Sequence, residues 1–321
     1  MAATLAGDCS VMNTPVPENA LLAHLRHADA ALRRLAVLDL AESNHEDAIH
    51  WLTEALDDVD SDVRLEAVRA LEEFDGPEVV TALLHALEDR ECEVRSVAAE
   101  VLASKSGASS LSALLERAGH PNAFVRAAVL RALKPLRSGL ALPAAQVGLH
   151  DTELEVRRAA VGVLGHLNEY EAILALHEAI GDASPEVRRA AVATLAARGI
   201  AVWEALQDAD WQVRQAAAEA VGKTKATQAV DALLIALDDE YWQVRQKAAW
   251  SLGQLKLPQS VSALGKLLLE QVQSNVRKEA AAALVTIGTH EAREWLRLAS
   301  EDPDADVRKL VSRALHDAAN H

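Results

Sequence analysis

A Val-Arg pair returns along this chain at a nearly constant interval, and that interval constrains the fold more than any other feature. Its arginines stand at Arg64, Arg95, Arg126, Arg157 and Arg188, each 31 residues beyond the last, and continue at Arg214, Arg245, Arg277 and Arg308. A Leu-Arg variant, Leu32-Arg33, lies 31 residues ahead of Arg64 and makes ten copies. Ten such units fill nearly all of the 321 residues. A unit of this size buries its apolar face only by stacking on its neighbours. The period therefore predicts a solenoid, where length alone would suggest two globular domains.

The second copy shows what each unit is. Within Val63-Arg64-Leu65-Glu66-Ala67-Val68-Arg69-Ala70-Leu71, the residues Val63, Ala67, Val68 and Leu71 share one helical face. Asp60 or Ser61 stands where the free N–H groups of a helix start need an acceptor. The preceding segment, 46–56, is a second amphipathic helix, so the unit is a helical hairpin. Composition agrees: 50% of residues are hydrophobic but only 3% aromatic. The apolar mass is Ala, Leu and Val, a set that favours helix and close helix approach. The glycines Gly165, Gly222 and Gly253 read as helix terminators.

Five residues before the repeat valine stands Asp58, Asp89, Asp151, Asp182, Asp208, Asp239 or Asp302; His27, His120 and Gln271 replace it in three copies. Together with Arg64, Arg95, Arg157, Arg188, Arg214, Arg245 and Arg308 these aspartates are expected to form a structural ladder through the stack. Functional groups seldom recur in every copy of a repeat, so the arginines do not count as a phosphate-binding stripe.

The pattern Asp-x-x-x-x-Val-Arg-x-x-Ala-Ala-x-x-Leu-Gly, well formed at 208–222 and 239–253, resembles the HEAT-like repeat of the phycobilisome-lyase type. The resemblance covers about residues 17–318 and implies an all-α fold, a right-handed α-α superhelix of about ten two-helix repeats. It also implies that the Val-Arg helices line the concave surface. The expected organisation is a flexible tail over 1–16 and a solenoid over 17–321. The step from Arg188 to Arg214 is only 26 residues, which predicts a helix around Ile200–Gln207 clipped by more than a turn. That clip suggests sub-halves at 17–198 and 199–318. The step from Arg245 to Arg277 is 32, one residue long.

Members of this fold group that are enzymes supply motifs to look for. Deoxyhypusine hydroxylase places His-Glu just after Val-Arg; here none of those positions is histidine, and His45-Glu46, His177-Glu178 and His290-Glu291 fall on the other helix or its turn. No metal site, cofactor or catalytic residue is expected. The HEAT-like DNA glycosylases use a basic groove, whereas this chain carries a formal charge of -16, which repels phosphate. No nucleic-acid partner is expected. Nor is a membrane span, since no apolar run of about 18 residues exists, and the start of the chain lacks a secretory signal. Cys9 and Cys92 offer no disulfide framework, which points to a reducing, cytoplasmic location.

What remains is a binding role. The residues before the repeat valine and two, three and six after it are expected on the groove. They give Phe124, Arg131, Arg158, Arg189, Gln215, Gln246 and Trp250, with Trp211, Tyr241 and Trp242 at one rim. Trp, Tyr and Arg are common binding hot spots. The chain is therefore read as a non-catalytic protein-interaction scaffold or assembly factor. Its partner is another protein, presenting a basic or amphipathic segment to the acidic solenoid. The alternative is a bilin lyase-like protein handling a tetrapyrrole, with Trp211 and Trp242 cradling the chromophore.

Overall fold

The computed structural model describes residues 18–43 and 45–319, and the tail expected at 1–16 lies outside them. Every regular element among the described residues is helical. The chain divides into two compact units, residues 1–136 and 137–321.

The first unit holds four hairpins: α1 (Glu18–Leu25) with α2 (Ala30–Ala41), α3 (Ala48–Ala55) with α4 (Ser61–Ala70), α5 (Pro77–Ala86) with α6 (Cys92–Lys105), and α7 (Leu111–Arg117) with α8 (Ala123–Leu133). The second helices pack in a row, α2 on α4, α4 on α6, α6 on α8. The second unit continues with α9 (Leu142–Leu149) and α10 (Leu154–Leu164), then α11 (Tyr170–Glu178) and α12 (Pro185–Ala197). A hairpin follows whose second helix is α13 (Trp211–Thr224). The last three are α14 (Val230–Ala236) with α15 (Trp242–Leu255), α16 (Val261–Glu270) with α17 (Ser274–Ile287), and α18 (His290–Leu298) with α19 (Ala305–Ala319). Here the row of second helices runs α10, α12, α13, α15, α17, α19.

Several starts and stops follow from the sequence. Asp60 caps α4 by accepting the N–H groups of Asp62 and Val63 at 2.9 and 3.3 Å, and Asp210 does the same for α13. Three second helices end on a residue in the left-handed region: Lys225 (φ 58), Lys256 (φ 53) and Gly288 (φ 71). Val63, Ala67, Val68 and Leu71 are all buried, the face that the periodicity marked.

The short repeat is clipped where the arginine spacing placed the deletion. In place of a first helix it has only a 3-10 turn, Trp203–Gln207. This turn packs on α13 and α14, and α12 packs directly on α13. The junction expected at 198/199 falls inside the second unit.

Two glycines read as terminators have a different role. Gly222 and Gly253 lie inside α13 and α15 and are buried. A methyl on Gly253 would stand 2.8 Å from Ala283 Cα in α17, and one on Gly222 would stand 2.5 Å from Ser251 Oγ in α15. They set how closely the second helices approach. Ser251, fully buried, donates from Oγ to the Ala218 carbonyl at 2.6 Å and ties α15 to α13.

Candidate interaction surface

Six of the repeat arginines are forked into the joint between two repeats. Arg64 leaves the first turn of α4 and donates through Nη1 to the Asp58 and Val59 carbonyls of its own repeat, at 2.9 and 3.4 Å. Its Nε and Nη2 reach forward to Oδ2 and Oδ1 of Asp89 in the next repeat, at 2.6 and 3.0 Å. The same fork joins Arg33 to Asp58, Arg157 to Asp182, Arg188 to Asp208, Arg214 to Asp239 and Arg277 to Asp302. The pairing thus runs between repeats: Asp58, Asp89, Asp182, Asp208, Asp239 and Asp302 each give a carboxylate to the preceding arginine and a backbone carbonyl to the arginine of their own repeat. The clipped repeat keeps the joint, with Arg188 and Asp208 still 2.7 Å apart. Asp151 gives its backbone carbonyl to Arg157 at 2.9 Å, and Arg308 in the last repeat donates to the Asp302 and Pro303 carbonyls.

Burial acts to raise the carboxyls of Asp58, Asp89, Asp208, Asp239 and Asp302. The arginine fork and a backbone N–H two residues on outweigh it and hold all five below the ordinary carboxylate value. Two rungs lack the carboxylate. Where His120 takes its place, the Arg95 guanidinium lies 5.8 Å from the centre of the Phe124 ring. Where Gln271 takes it, Arg245 Nη2 donates to Gln273 Oε1 at 2.9 Å, and Nε is shut off from solvent without an acceptor.

The sequence-derived groove residues separate into three groups. Phe124 and Arg131 lie in α8 of the first unit, Phe124 half-buried beneath Arg95 and Arg131 exposed. Arg158, Arg189 and Gln215 come together in the second unit. With Glu186, Gln212 and Glu219 they line an open depression of about 330 Å³ across α10, α12 and α13. Its floor is Ala190, Ala193 and Ala216. Arg189 Nη1 donates to Gln212 Oε1 at 3.2 Å, and Arg158 Nη1 donates to Glu155 Oε1 at 3.0 Å. Beyond them on α15, Lys247 Nζ sits 5.6 Å from the centre of the Trp250 ring and 3.4 Å from Glu219. Gln246 reaches Glu279 of α17, whose carboxyl burial pushes up against the opposing pull of Lys247 and of that hydrogen bond.

The rim aromatics are partly engaged with one another. Trp211 and Tyr241, at the starts of neighbouring second helices, stack with centroids 5.4 Å apart and planes 12° from parallel. The Arg214 guanidinium lies 5.7 Å from the same tyrosine ring. Trp242 is half-buried in the first turn of α15. Gln243, also expected on the groove, turns inward, with Oε1 closed off from solvent and without a donor. Phe124 and Gln212, which also stand just before a repeat valine, each meet an arginine of the preceding repeat. Sequence periodicity did not single out Glu279, because a lone glutamate on an amphipathic helix carries no signal of the lysine beside it.

HEAT repeats match residues 18–103, 80–147, 142–201, 200–284 and 231–316. The chain belongs to the HEAT-repeat family. No curated protein sequence matches it. Among solved structures this HEAT-repeat protein is similar to yeast importin-beta, Kap95p, seen in its complex with RanGDP, at 14% identity and a TM-score of 0.64. The match covers 93% of this chain and 50% of Kap95p, so the chain spans about half the length of that importin. It is also similar to the Escherichia coli protein YibA, at 20% identity and a TM-score of 0.55, over 82% of this chain and 98% of YibA. Identities this low show the shared fold. Among the described residues no helix is long and apolar enough to cross a membrane, and no group of three or more His, Cys, Asp and Glu side chains is placed to hold a metal ion.

Proposed function

We propose that this HEAT-repeat protein is a non-catalytic interaction scaffold or assembly factor whose second-helix face takes a segment of a partner protein. The observation that carries this reading is the open depression on α10, α12 and α13, where Arg158 and Arg189 flank Gln212 and Gln215 over an alanine floor. Small residues on the floor let a chain approach closely, and amides with half-free guanidinium groups offer hydrogen bonds along its length. Next to it, the Trp250 ring beneath Lys247 offers a flat apolar anchor. A depression open to solvent and lined by polar side chains suits an extended polypeptide better than an enclosed small molecule. The same fold serves Kap95p in binding a protein, RanGDP. Within the family, the repeat pattern supports the phycobilisome-lyase type as the subgroup, and the acidic charge favours a basic or amphipathic partner segment. Its cations meet Glu186 and Glu219, and its carbonyl or carboxylate oxygens accept from Arg158 and Arg189.

The test is affinity capture from the native host with quantitative mass spectrometry. It compares the wild type, Arg158→Glu/Arg189→Glu, and Ile235→Ser on α14. Loss of two anchors lowers recovery of the true partner by about tenfold or more, while Ile235→Ser retains it. Equal recovery by all three proteins removes the second-helix face from the reading. Stable, red-shifted bilin absorbance on the purified protein replaces the scaffold by the tetrapyrrole-handling alternative.

A further inference from the structure

The first-helix face of the second unit exposes apolar side chains that hairpin packing does not require. Val147 of α9 is 72% exposed, and Tyr170 and Leu174, one turn apart on α11, are 67% and 50% exposed. Leu140, in the short turn leading into α9, is 67% exposed. These residues belong together. A methyl on Gly139 would collide with the Glu169 side chain, so the turn carrying Leu140 lies against the residue before Tyr170. At the other end Val147 and Leu174 line one groove of about 420 Å³ between α9 and α11, with Leu149 and Ala175. An apolar stripe of this kind on a face otherwise turned to water marks a contact site.

The polar surroundings specify what fits. Glu171 and Glu178 line the groove, together with Gln146 and His150, and none of its described lining residues is Lys or Arg. His150 Nε2 lies 3.7 Å from Glu178 Oε1. At the Leu140–Tyr170 end, Glu169 Oε2 is closed off from solvent and accepts no hydrogen bond. A carboxylate oxygen without a donor is unfavourable in the free protein. Turning this side chain toward a cation brought to the stripe removes that deficit.

We propose that the α9–α11 face is a second docking surface, and that its occupant is a basic amphipathic helix of another protein. Apolar side chains one turn apart on that helix fill the space between Val147 and Leu174 and cover Tyr170. Its Lys or Arg residues meet Glu169, Glu171 and Glu178. This surface lies on the first helices and is distinct from the depression on the second helices.

The test uses the full chain and fluorescence anisotropy with a labelled synthetic helix carrying leucines at i, i+3, i+4 and i+7 flanked by lysines. A counterpart peptide has glutamates in place of the lysines. The lysine peptide binds and the glutamate peptide does not. Val147→Ser/Leu174→Ser weakens binding by about tenfold or more. Because both side chains are exposed, circular dichroism of that variant matches the wild type. Glu169→Gln weakens binding less and reduces its salt dependence. Ile235→Ser and Arg158→Glu/Arg189→Glu bind as the wild type does, so failure here is separable from failure of the second-helix reading. Undiminished binding by the double serine variant overturns the proposal, as does equal binding of the glutamate peptide. A wild-type dimer in sedimentation that Leu174→Ser converts to monomer assigns the stripe to a second copy of the chain and overturns it equally.

Discussion

Replacing Gln271 by aspartate tests whether the arginine fork is what couples one repeat to the next. In the preceding rung, Arg214 Nε lies 2.6 Å from Asp239 Oδ2, and the two side chains are 11% and 9% exposed. In the Arg245 rung the equivalent Nε has no acceptor and Nη2 donates to Gln273 Oε1, while Nη1 keeps the Asp239 and Glu240 carbonyls. A stranded donor of this kind costs about 1–3 kcal/mol, and a charge-assisted fork contributes about 1.5–3 kcal/mol net. Against this stand the existing Gln273 bond, about 1 kcal/mol, and the desolvation of a new carboxylate. The balance is a gain of about 1–2 kcal/mol, and it is local to the α15–α17 joint. Repeat arrays do not always unfold in one step, so a single melting temperature is a poor measure. Hydrogen exchange reads the joint directly: amides of α15 and α17 that exchange by local opening should slow by about 5- to 30-fold. A double-mutant cycle with Arg245→Met decides the cause. If Gln271→Asp slows exchange equally when Arg245 is methionine, the gain does not pass through the fork and the reasoning is wrong.

Three further outcomes rest on the same geometry. Asp89→Ala strands Arg64, whose side chain is only 4% exposed, and should cost about 3–5 kcal/mol in urea denaturation; a loss below about 1 kcal/mol would mean that water replaces the carboxylate. Gly253→Ala places a methyl 2.8 Å from Ala283 Cα, where only backbone movement makes room, and should destabilise by about 1–3 kcal/mol, whereas Gly107→Ala, with nothing within 4 Å, should leave denaturation unchanged. The carboxyls of Asp58, Asp89, Asp208, Asp239 and Asp302 are held below their unfolded value of 3.8, so their stabilisation is complete above that value and is lost as pH falls through the lower folded values. Acid unfolding followed by circular dichroism should therefore begin below about pH 4, and Asp89→Ala should flatten its pH dependence. A midpoint above about pH 5 would assign it to other groups.

The sequence by itself determined the repeating unit and most of its chemistry. A 3.6-residue apolar period over Val63, Ala67, Val68 and Leu71 admits only a helix buried on one side, and the return every 31 residues admits only stacked hairpins. The missing residues before Arg214 marked the lost first helix, because the second helix and its Asp-Arg pair could not be shortened without breaking the joint. Only the tertiary structure decided which groups meet. Arg64 stands six residues after Asp58 and 25 before Asp89, and stacking alone sends its fork forward and leaves the nearer carbonyl for the remaining N–H. Gly222 and Gly253 resemble helix ends in sequence, yet they are contact points between neighbouring helices. The sequence put Trp211 and Tyr241 at one rim, and the fold stacks them on each other. The stripe of Leu140, Val147, Tyr170 and Leu174 left no trace in the repeat pattern. Its residues occupy ordinary apolar places on two first helices and the turn before one of them, and exposure is a property of the neighbours a side chain lacks, which a local period cannot encode.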